Sequence, residues 1–551
     1  MEPTSQSFSH PKPISLKEEQ RRSANYHPSI WDPSLIKSFT TPYTYEFHAT
    51  ELKELKQKAG HLFASTKDTA ALLKLIDSLQ RLGVAYHFEK QIEEALNQFH
   101  VDQNVSNDLS IAALHFRLLR EHGYPVSAEV FQKFKGGDGK FMDSLSGDVE
   151  GLLSLEEASF LGVKGENFLE EAKGFTSESL KALLGKLDEV KAKHVQQSLE
   201  VPLYWRMERI EARNFIDSYQ RDDTHRSVLL ELAKLDYNLT QSAYQKELKE
   251  LADWWRELNF KEKLSFSRDR LMEIYFWATG LSFEPRYAKC RICATKYACL
   301  ATVVDDIYDI YGSLDELESF TNAVIGWDMK AVEELPEYMR VMFSAMSNFT
   351  NELAHDTLKS HGLNVLPYIK EQWTILCRAH ITEARWFYGG HTPTFDEYIK
   401  NGWISIGSLG GLVLLCFVEA NSMVDQFPHC LDDFSQLFYW SSLITRLSDD
   451  LGTSKAEMER GDIPKAVQSY MIEKGVSEEE ARDHVKNMIS YSWKKINEEI
   501  VDKSFPQIIV NLSKNMARTA QCMYQHGDGV GTSTGVTKDC IVSSILKPIP
   551  I

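Results

Sequence analysis

This chain is short of basic charge. Its 61 Lys and Arg residues face 79 Asp and Glu, a net charge of −18. A general nucleic-acid binder needs a basic footprint, so that class is excluded. An anionic substrate is not excluded, because bound Mg²⁺ can reverse the local field. Cysteine is sparse, eight in 551 residues. Most of the eight fall inside apolar helical pattern, which reads as buried free thiols in a reducing compartment. Cys290-Arg-Ile-Cys293 has zinc or redox spacing, but no second pair exists and no strand pattern precedes it. Long apolar runs are missing too. The longest, Leu412 to Val418, is far too short to cross a bilayer.

No secretory signal is visible. Residues 1–20 mix Pro, Ser, His and Glu without an apolar stretch and read as a flexible N-terminus. Arg21-Arg22 is followed by Ser-Ala-Asn-Tyr-His-Pro, which is no hydrophobic region either. A plastid transit peptide is Ser/Arg-rich and acid-poor, whereas Glu2, Glu18 and Glu19 come early here. The cytosol is therefore expected, with the plastid as the alternative if a targeting segment has been removed.

What is there is helix. Ala70 to Phe99 repeats Leu and Ile at three-to-four spacing, with Gly83 able to end one helix inside it. Leu109 to His122 repeats the pattern and stops at Gly123 with Pro125 beyond. Leu152 to Leu161, Leu180 to Leu199 and Val228 to Trp255 read the same way. Alternating strand runs bounded by turn pairs are scarce. The expected fold is all-α. A polar stretch between apolar helices at residues 215–227 marks a candidate seam. A stack of helical pairs serving as a binding scaffold is the competing reading of this pattern.

Two acidic motifs argue for chemistry. In Asp305-Asp306-Ile-Tyr-Asp309, positions 305 and 309 lie one helical turn apart on one face. Like charges at that spacing repel unless a cation neutralises them, and Mg²⁺ prefers oxygen ligands. Asp305 and Asp309 fit that role, with Asp306 as a weaker or indirect ligand. A solvated acidic face is the rival reading, but the preceding Ala301-Thr-Val-Val304 is largely apolar. An EF-hand loop does not fit, since Ile307 takes its third position and no Gly its sixth.

The second motif is Asp449-Asp450-Leu-Gly-Thr453-Ser-Lys-Ala-Glu457. Asp449, Thr453 and Glu457 stand at i, i+4 and i+8, a stripe of three oxygen donors on one helix. Arg446, one turn earlier, could reach phosphate oxygens beside the metal. Two such faces can meet across a helical bundle. Mg²⁺ held between them would act as a Lewis acid on a diphosphate leaving group.

These residues resemble plant class I terpene synthases. The family's aspartate-rich motif is matched by Asp305-Asp306-Ile-Tyr-Asp309, and its second metal motif by Asp449, Thr453 and Glu457. Its Arg-x-Arg segment is matched by Arg268-Asp-Arg270. Its tandem-arginine motif is matched by Arg21-Arg22, eight residues, then Trp31. The resemblance runs from about residue 20 to the end. It implies a non-catalytic N-terminal α-barrel domain over 21–220 and a catalytic, metal-binding helical bundle over 221–551. It also implies three Mg²⁺ per site, with Mn²⁺ able to substitute, and a prenyl diphosphate substrate bound by a monomer. No Asp-x-Asp-Asp motif occurs, so protonation-initiated cyclisation is not expected.

The resemblance assigns further roles. Arg268 and Arg270 are expected to clamp diphosphate together with Arg446, Asp305, Asp309 and Asp449. Trp277 is expected to face a carbocation, and Tyr524 and Asp528 to shape the pocket or relay a proton. Arg21, Arg22 and Trp31 are expected to cap the site and support isomerisation of the substrate before cyclisation. The Gly-rich run His526 to Lys538 fails the phosphate-loop pattern, and reads as a flexible segment that closes over the ionised substrate. Gly407, Gly410 and Gly411 mark an expected helix kink at the pocket floor.

The substrate's hydrocarbon half is contested. The apparent lack of a transit peptide favours farnesyl diphosphate and a sesquiterpene product. The tandem-arginine subfamily favours geranyl diphosphate and a monoterpene. The first is the main expectation, the second the alternative. A prenyl chain-elongating synthase fits less well, because such enzymes carry two Asp-Asp-x-x-Asp motifs.

Overall fold

A computed structural model describes residues 21–102, 106–222, 224–419, 434–502, 505–532 and 534–551. The expected flexible segment 1–20, Cys430 and Ser533 lie outside the described residues. Among the described residues there is no strand, only an isolated bridge between Lys135 and Phe141. The all-α expectation holds, and local chemistry accounts for most helix limits. Asp68 accepts from the Ala71 N–H and starts Thr69–Arg81. Asp108 accepts from the Ser110 and Ile111 N–H groups and starts Leu109–Glu121. Each such cap satisfies N–H groups the helix itself cannot.

The expected helix over Leu180 to Leu199 is divided. Asn167–Leu183 ends in a short 3₁₀ turn, Leu184–Lys186. A new helix, Glu189–Glu200, then starts from Asp188, which caps the Lys191 N–H. The Leu spacing runs on across this junction, while the cap at Asp188 overrules it.

Buried side chains form two large clusters. One gathers Leu55, Phe63, Ile76, Leu96 and Leu118 with Leu229, Leu232 and Leu235. The other runs from Trp31 and Phe116 through Tyr244, Leu248 and Leu251 into the C-terminal bundle. Full burial of each Leu or Phe contributes about 1.5–3 kcal/mol. The long helix Ser227–Leu258 therefore belongs to both clusters, by its first half and its second half in turn. The chain's end is tied to it. Asn238 donates to the Ile549 carbonyl (2.8 Å) and accepts from the Ile549 N–H (2.7 Å).

Six helical segments enclose a deep cavity: Leu271–Leu281, Ala288–Asp306, Leu366–Gly389, Phe395–Ser405 with Ser408–Val418, Ser435–Arg460 and Gln507–Tyr524. The fourth bends where the sequence placed its glycines. Gly407 has φ +78°, and the Tyr297 hydroxyl donates to its carbonyl at 3.0 Å. A Cβ at Gly410 would fall 2.2 Å from that hydroxyl oxygen, so no larger residue fits without displacing Tyr297. Across the bend, Phe395–Val418 is long and apolar enough to cross a membrane, but 67% of its apolar window is buried inside the protein.

Candidate active site

The cavity measures about 1460 Å³ including its mouth. One end is acidic and basic, the other apolar. At the polar end, the helix Ala288–Asp306 runs into a wider π turn, Ile307–Tyr311, closed by the Gly312 N–H on the Ile307 carbonyl at 2.8 Å. Asp305 and Asp309 both face the cavity from this junction. Asp306 does not. It is fully buried, accepts from the Arg268 backbone N–H (2.8 Å), and stands 2.9 Å from the Arg268 Nε as an ion pair. The expected weaker or indirect ligand, Asp306, is thus held off the cavity, where its carboxylate braces Arg268. Arg268 extends its other nitrogen to Asp305.

The facing wall is the helix Ser435–Arg460. Asp449, Thr453 and Glu457 line the cavity from one stripe of it, with Arg446 beside them. Arg446 pairs with Asp449 and, through Nε at 2.9 Å, with the fully buried Asp450. Asp450 also accepts from the Tyr398 hydroxyl (2.9 Å) and the Ala466 N–H (3.0 Å). Thr453 donates its hydroxyl proton to the Asp449 carbonyl at 2.9 Å. Its oxygen keeps lone pairs for a cation.

Electrostatics fits this layout. Burial pushes the Asp309 carboxyl well above the usual range, and the charge of Asp305 adds to it. At Asp305 burial acts upward, but Arg268, His380 and Lys465 outweigh it and hold the carboxyl low. Burial raises Asp306 to about 6 against the opposing pull of Arg268. Two like carboxyls this close resist ionising together, a repulsion that a cation would relieve. The donor set of Asp305, Asp309, Asp449, Thr453 and Glu457 is all hard oxygen, which suits Mg²⁺.

The remaining expected residues divide. Trp277 and Tyr524 line the cavity, their rings meeting edge to face at 6.0 Å. Asp528 lines it as well, accepting from the Val530 (3.2 Å) and Gly531 (2.6 Å) N–H groups. The glycine there is steric: a Cβ on Gly531 would fall 2.0 Å from Asp528 Oδ2. Arg270 is not on the cavity. It is buried and donates to the carbonyls of His27 and Gly531, each at 2.8 Å. The expected phosphate clamp is here a tie between an N-terminal strap, residues 21–31, and the Gly-rich turn.

Arg21 pairs with Glu316 at 2.8 Å and donates to the Tyr311 carbonyl at 2.9 Å. Arg22 donates to the Asp309 carbonyl and to Asp462, both at 2.7 Å. Both thus close over the outer end of the first acidic wall. Trp31 lies apart, 6% exposed in the hydrophobic core, where it anchors the strap.

Four cavity residues carry no sequence signal. Tyr26 comes from the strap, with the Arg268 guanidinium 5.0 Å above its ring. Lys465 pairs with Glu383 at 3.3 Å and stands 4.0 Å from Asp309. Asp462 takes Arg22. His380 is buried beside Asp305, and burial lowers its pKa. No local motif marks these positions, because tertiary packing alone brings them to the cavity.

Residues 256–495 match the metal-binding domain of the terpene synthase family, and residues 30–200 match the family's N-terminal domain. The chain belongs to the terpene synthase family. It is a lyase acting on prenyl diphosphates. It is 55% identical over 534 residues to a probable terpene synthase 9 of Ricinus communis, covering 96% of this chain and 91% of that one. It is 50% identical over 554 residues to a chloroplastic trans-ocimene synthase of Litsea cubeba, covering 99% and 95%. Among solved structures, limonene synthase with 2-fluorolinalyl diphosphate superposes with a TM-score of 0.93 at 40% identity, covering 96% of this chain and all of that one. Grey poplar isoprene synthase, with three Mg²⁺ ions and dimethylallyl-S-thiolodiphosphate, gives 0.85 at 40% identity, covering 95% and 99%. In this terpene synthase, then, the facing acidic walls lie inside the family's metal-binding domain.

Proposed function

We propose that this terpene synthase is a monoterpene synthase that ionises geranyl diphosphate and releases diphosphate from a C10 product. One observation carries the chemistry. Two arginine-braced aspartate pairs face one another at the polar end of a cavity whose other end is apolar and aromatic. Ocimene and limonene, named in two of the relatives, are C10 hydrocarbons, which supports the shorter substrate. The preference for farnesyl diphosphate and the cytosol rested on the composition of residues 1–20. Relatives named as chloroplastic point instead to the plastid and to geranyl diphosphate.

Asp305 and Asp309 on one wall and Asp449, Thr453 and Glu457 on the other would hold Mg²⁺, three ions on the isoprene synthase precedent. Bound Mg²⁺ supplies Lewis-acid neutralisation of the departing diphosphate. Arg268 and Arg446 face the same space and offer forked N–H donors to its oxygens. The indole face of Trp277 attracts the allylic cation by about 0.5–2 kcal/mol. Tyr26, Arg21 and Arg22 close the mouth and keep water from trapping the cation.

The test is turnover of C10 and C15 diphosphates by the purified protein, with and without Mg²⁺, with products identified by gas chromatography. The expected result is Mg²⁺-dependent C10 product, with kcat/KM at least about tenfold above the C15 value, a difference of about 1.4 kcal/mol. A preference for the C15 substrate overturns the assignment of chain length. Absence of product from either overturns the reading as a whole.

A further inference from the structure

His380 sits in the helix Leu366–Gly389, 2% exposed, and lines the polar end of the cavity. Its ring stacks on Tyr308, centroids 5.4 Å apart and planes 22° from parallel. That stacking fixes the edge it presents. Neither ring nitrogen has a hydrogen-bond partner among the described residues. A buried polar group left so is destabilising, and nearly all buried polar groups are satisfied.

A polar atom near this edge belongs to the first acidic wall. His380 Nδ1 lies 4.0 Å from Asp305 Oδ1. Arg268 occupies the other oxygen of that carboxylate, Oδ2. Oδ1 is thus the one turned to the imidazole. One donor atom each from Asp305, Asp309 and His380 fall within 4.8 Å of one another. Two carboxylates and a neutral imidazole form a mixed oxygen and nitrogen donor set. Mg²⁺ takes oxygen almost exclusively, whereas imidazole suits transition metals.

We propose that His380 is a nitrogen ligand to the divalent cation held by Asp305 and Asp309, and that it shifts this position's preference from Mg²⁺ toward Mn²⁺. The inference rests on the reading of this wall as a metal site. It adds a ligand that neither acidic motif contains, 71 residues beyond Asp309 in the chain (380 − 309). The tie to Tyr308 adds a second consequence. The π turn that carries Asp309 and the helix that carries His380 are held in register by ring stacking, so the donor set is preorganised.

The test reads the metal rather than turnover. The full-length protein is loaded with Mn²⁺ and inorganic pyrophosphate and examined by pulsed electron paramagnetic resonance. Coupling to ³¹P reports that the ion sits with the pyrophosphate. The expected result is an additional imidazole ¹⁴N coupling in the wild type that is lost in His380→Phe, which keeps a ring against Tyr308. Mn²⁺ binding measured by calorimetry should weaken at least about tenfold in that variant. His380→Tyr serves as the second variant if the first does not fold, as judged by circular dichroism. No ¹⁴N coupling in the wild type overturns the proposal, and so does a coupling that survives in the variants. Wild-type turnover with Mg²⁺ but no ¹⁴N coupling overturns the role of His380 alone, leaving the proposed function intact.

Discussion

The two acidic walls share a plan and differ in how it is built. Each sets a cavity-facing aspartate beside a fully buried one, Asp305 with Asp306 and Asp449 with Asp450. In each, a single arginine spans the pair. On the second wall all three residues lie within two turns of one helix. On the first wall the arginine comes from outside, since Arg268 precedes Asp306 by 38 residues and lies ahead of the helix Leu271–Leu281. The second wall is thus preformed by secondary structure. The first depends on tertiary packing and on the strap residues Tyr26, Arg21 and Arg22 that close over it.

The largest expected effect tests the shared plan. Asp305→Ala and Asp449→Ala should each lower kcat by at least about 100-fold, the loss of several kcal/mol of charge stabilisation. Asp306→Asn should cost less than about tenfold, because its carboxylate is off the cavity. Steady-state assays with helicity monitored by circular dichroism check this. A loss in Asp306→Asn equal to that of Asp305→Ala would restore Asp306 as a ligand.

A middle effect tests the difference in construction. Arg446→Ala strands a buried carboxylate and should cost about 3–5 kcal/mol of stability. Arg268→Ala should cost less. Burial has already pushed Asp306 up to about 6, so without its partner it takes up a proton rather than standing charged. Thermal melts of the two variants decide the order. An equal or larger loss for Arg268→Ala would break the comparison.

The smallest effect concerns closure over the first wall. Arg22→Ala removes the contacts to the Asp309 carbonyl and to Asp462. It should change kcat by less than about tenfold while raising the share of acyclic or water-quenched products. Chromatography of the product mixture checks it. An unchanged mixture would remove Arg22 from the closure.

Much of this was legible in the sequence because it is local. One-turn spacing foretold the stripe of Asp449, Thr453 and Glu457, and glycines inside an apolar helix, with the family resemblance, foretold the bend at Gly407. Spacing also put Asp305 and Asp309 on one side, although the π turn between them alters the geometry it assumed. Arg268 and Arg270 read alike in sequence, two residues apart, yet one meets the cavity and the other ties His27 to Gly531. A motif fixes residue types, not which way an irregular backbone turns them. His380 and Lys465 were out of reach for a different reason. Lys465 meets Glu383 across 82 residues of chain, and no periodicity encodes such a meeting.

The helix Ser227–Leu258 ties these observations together. Its first half is core to one hydrophobic cluster and its second half to the other. Apart from Tyr26, no described residue before this helix lines the cavity. The earlier helices nonetheless share a continuous rod with the part that does. Heat or denaturant that melts the distal cluster must fray the rod from its N-terminal end, toward the packing that supports the cavity. The helices before this rod therefore work as thermal ballast, and substitutions scattered through them can erode turnover from a distance.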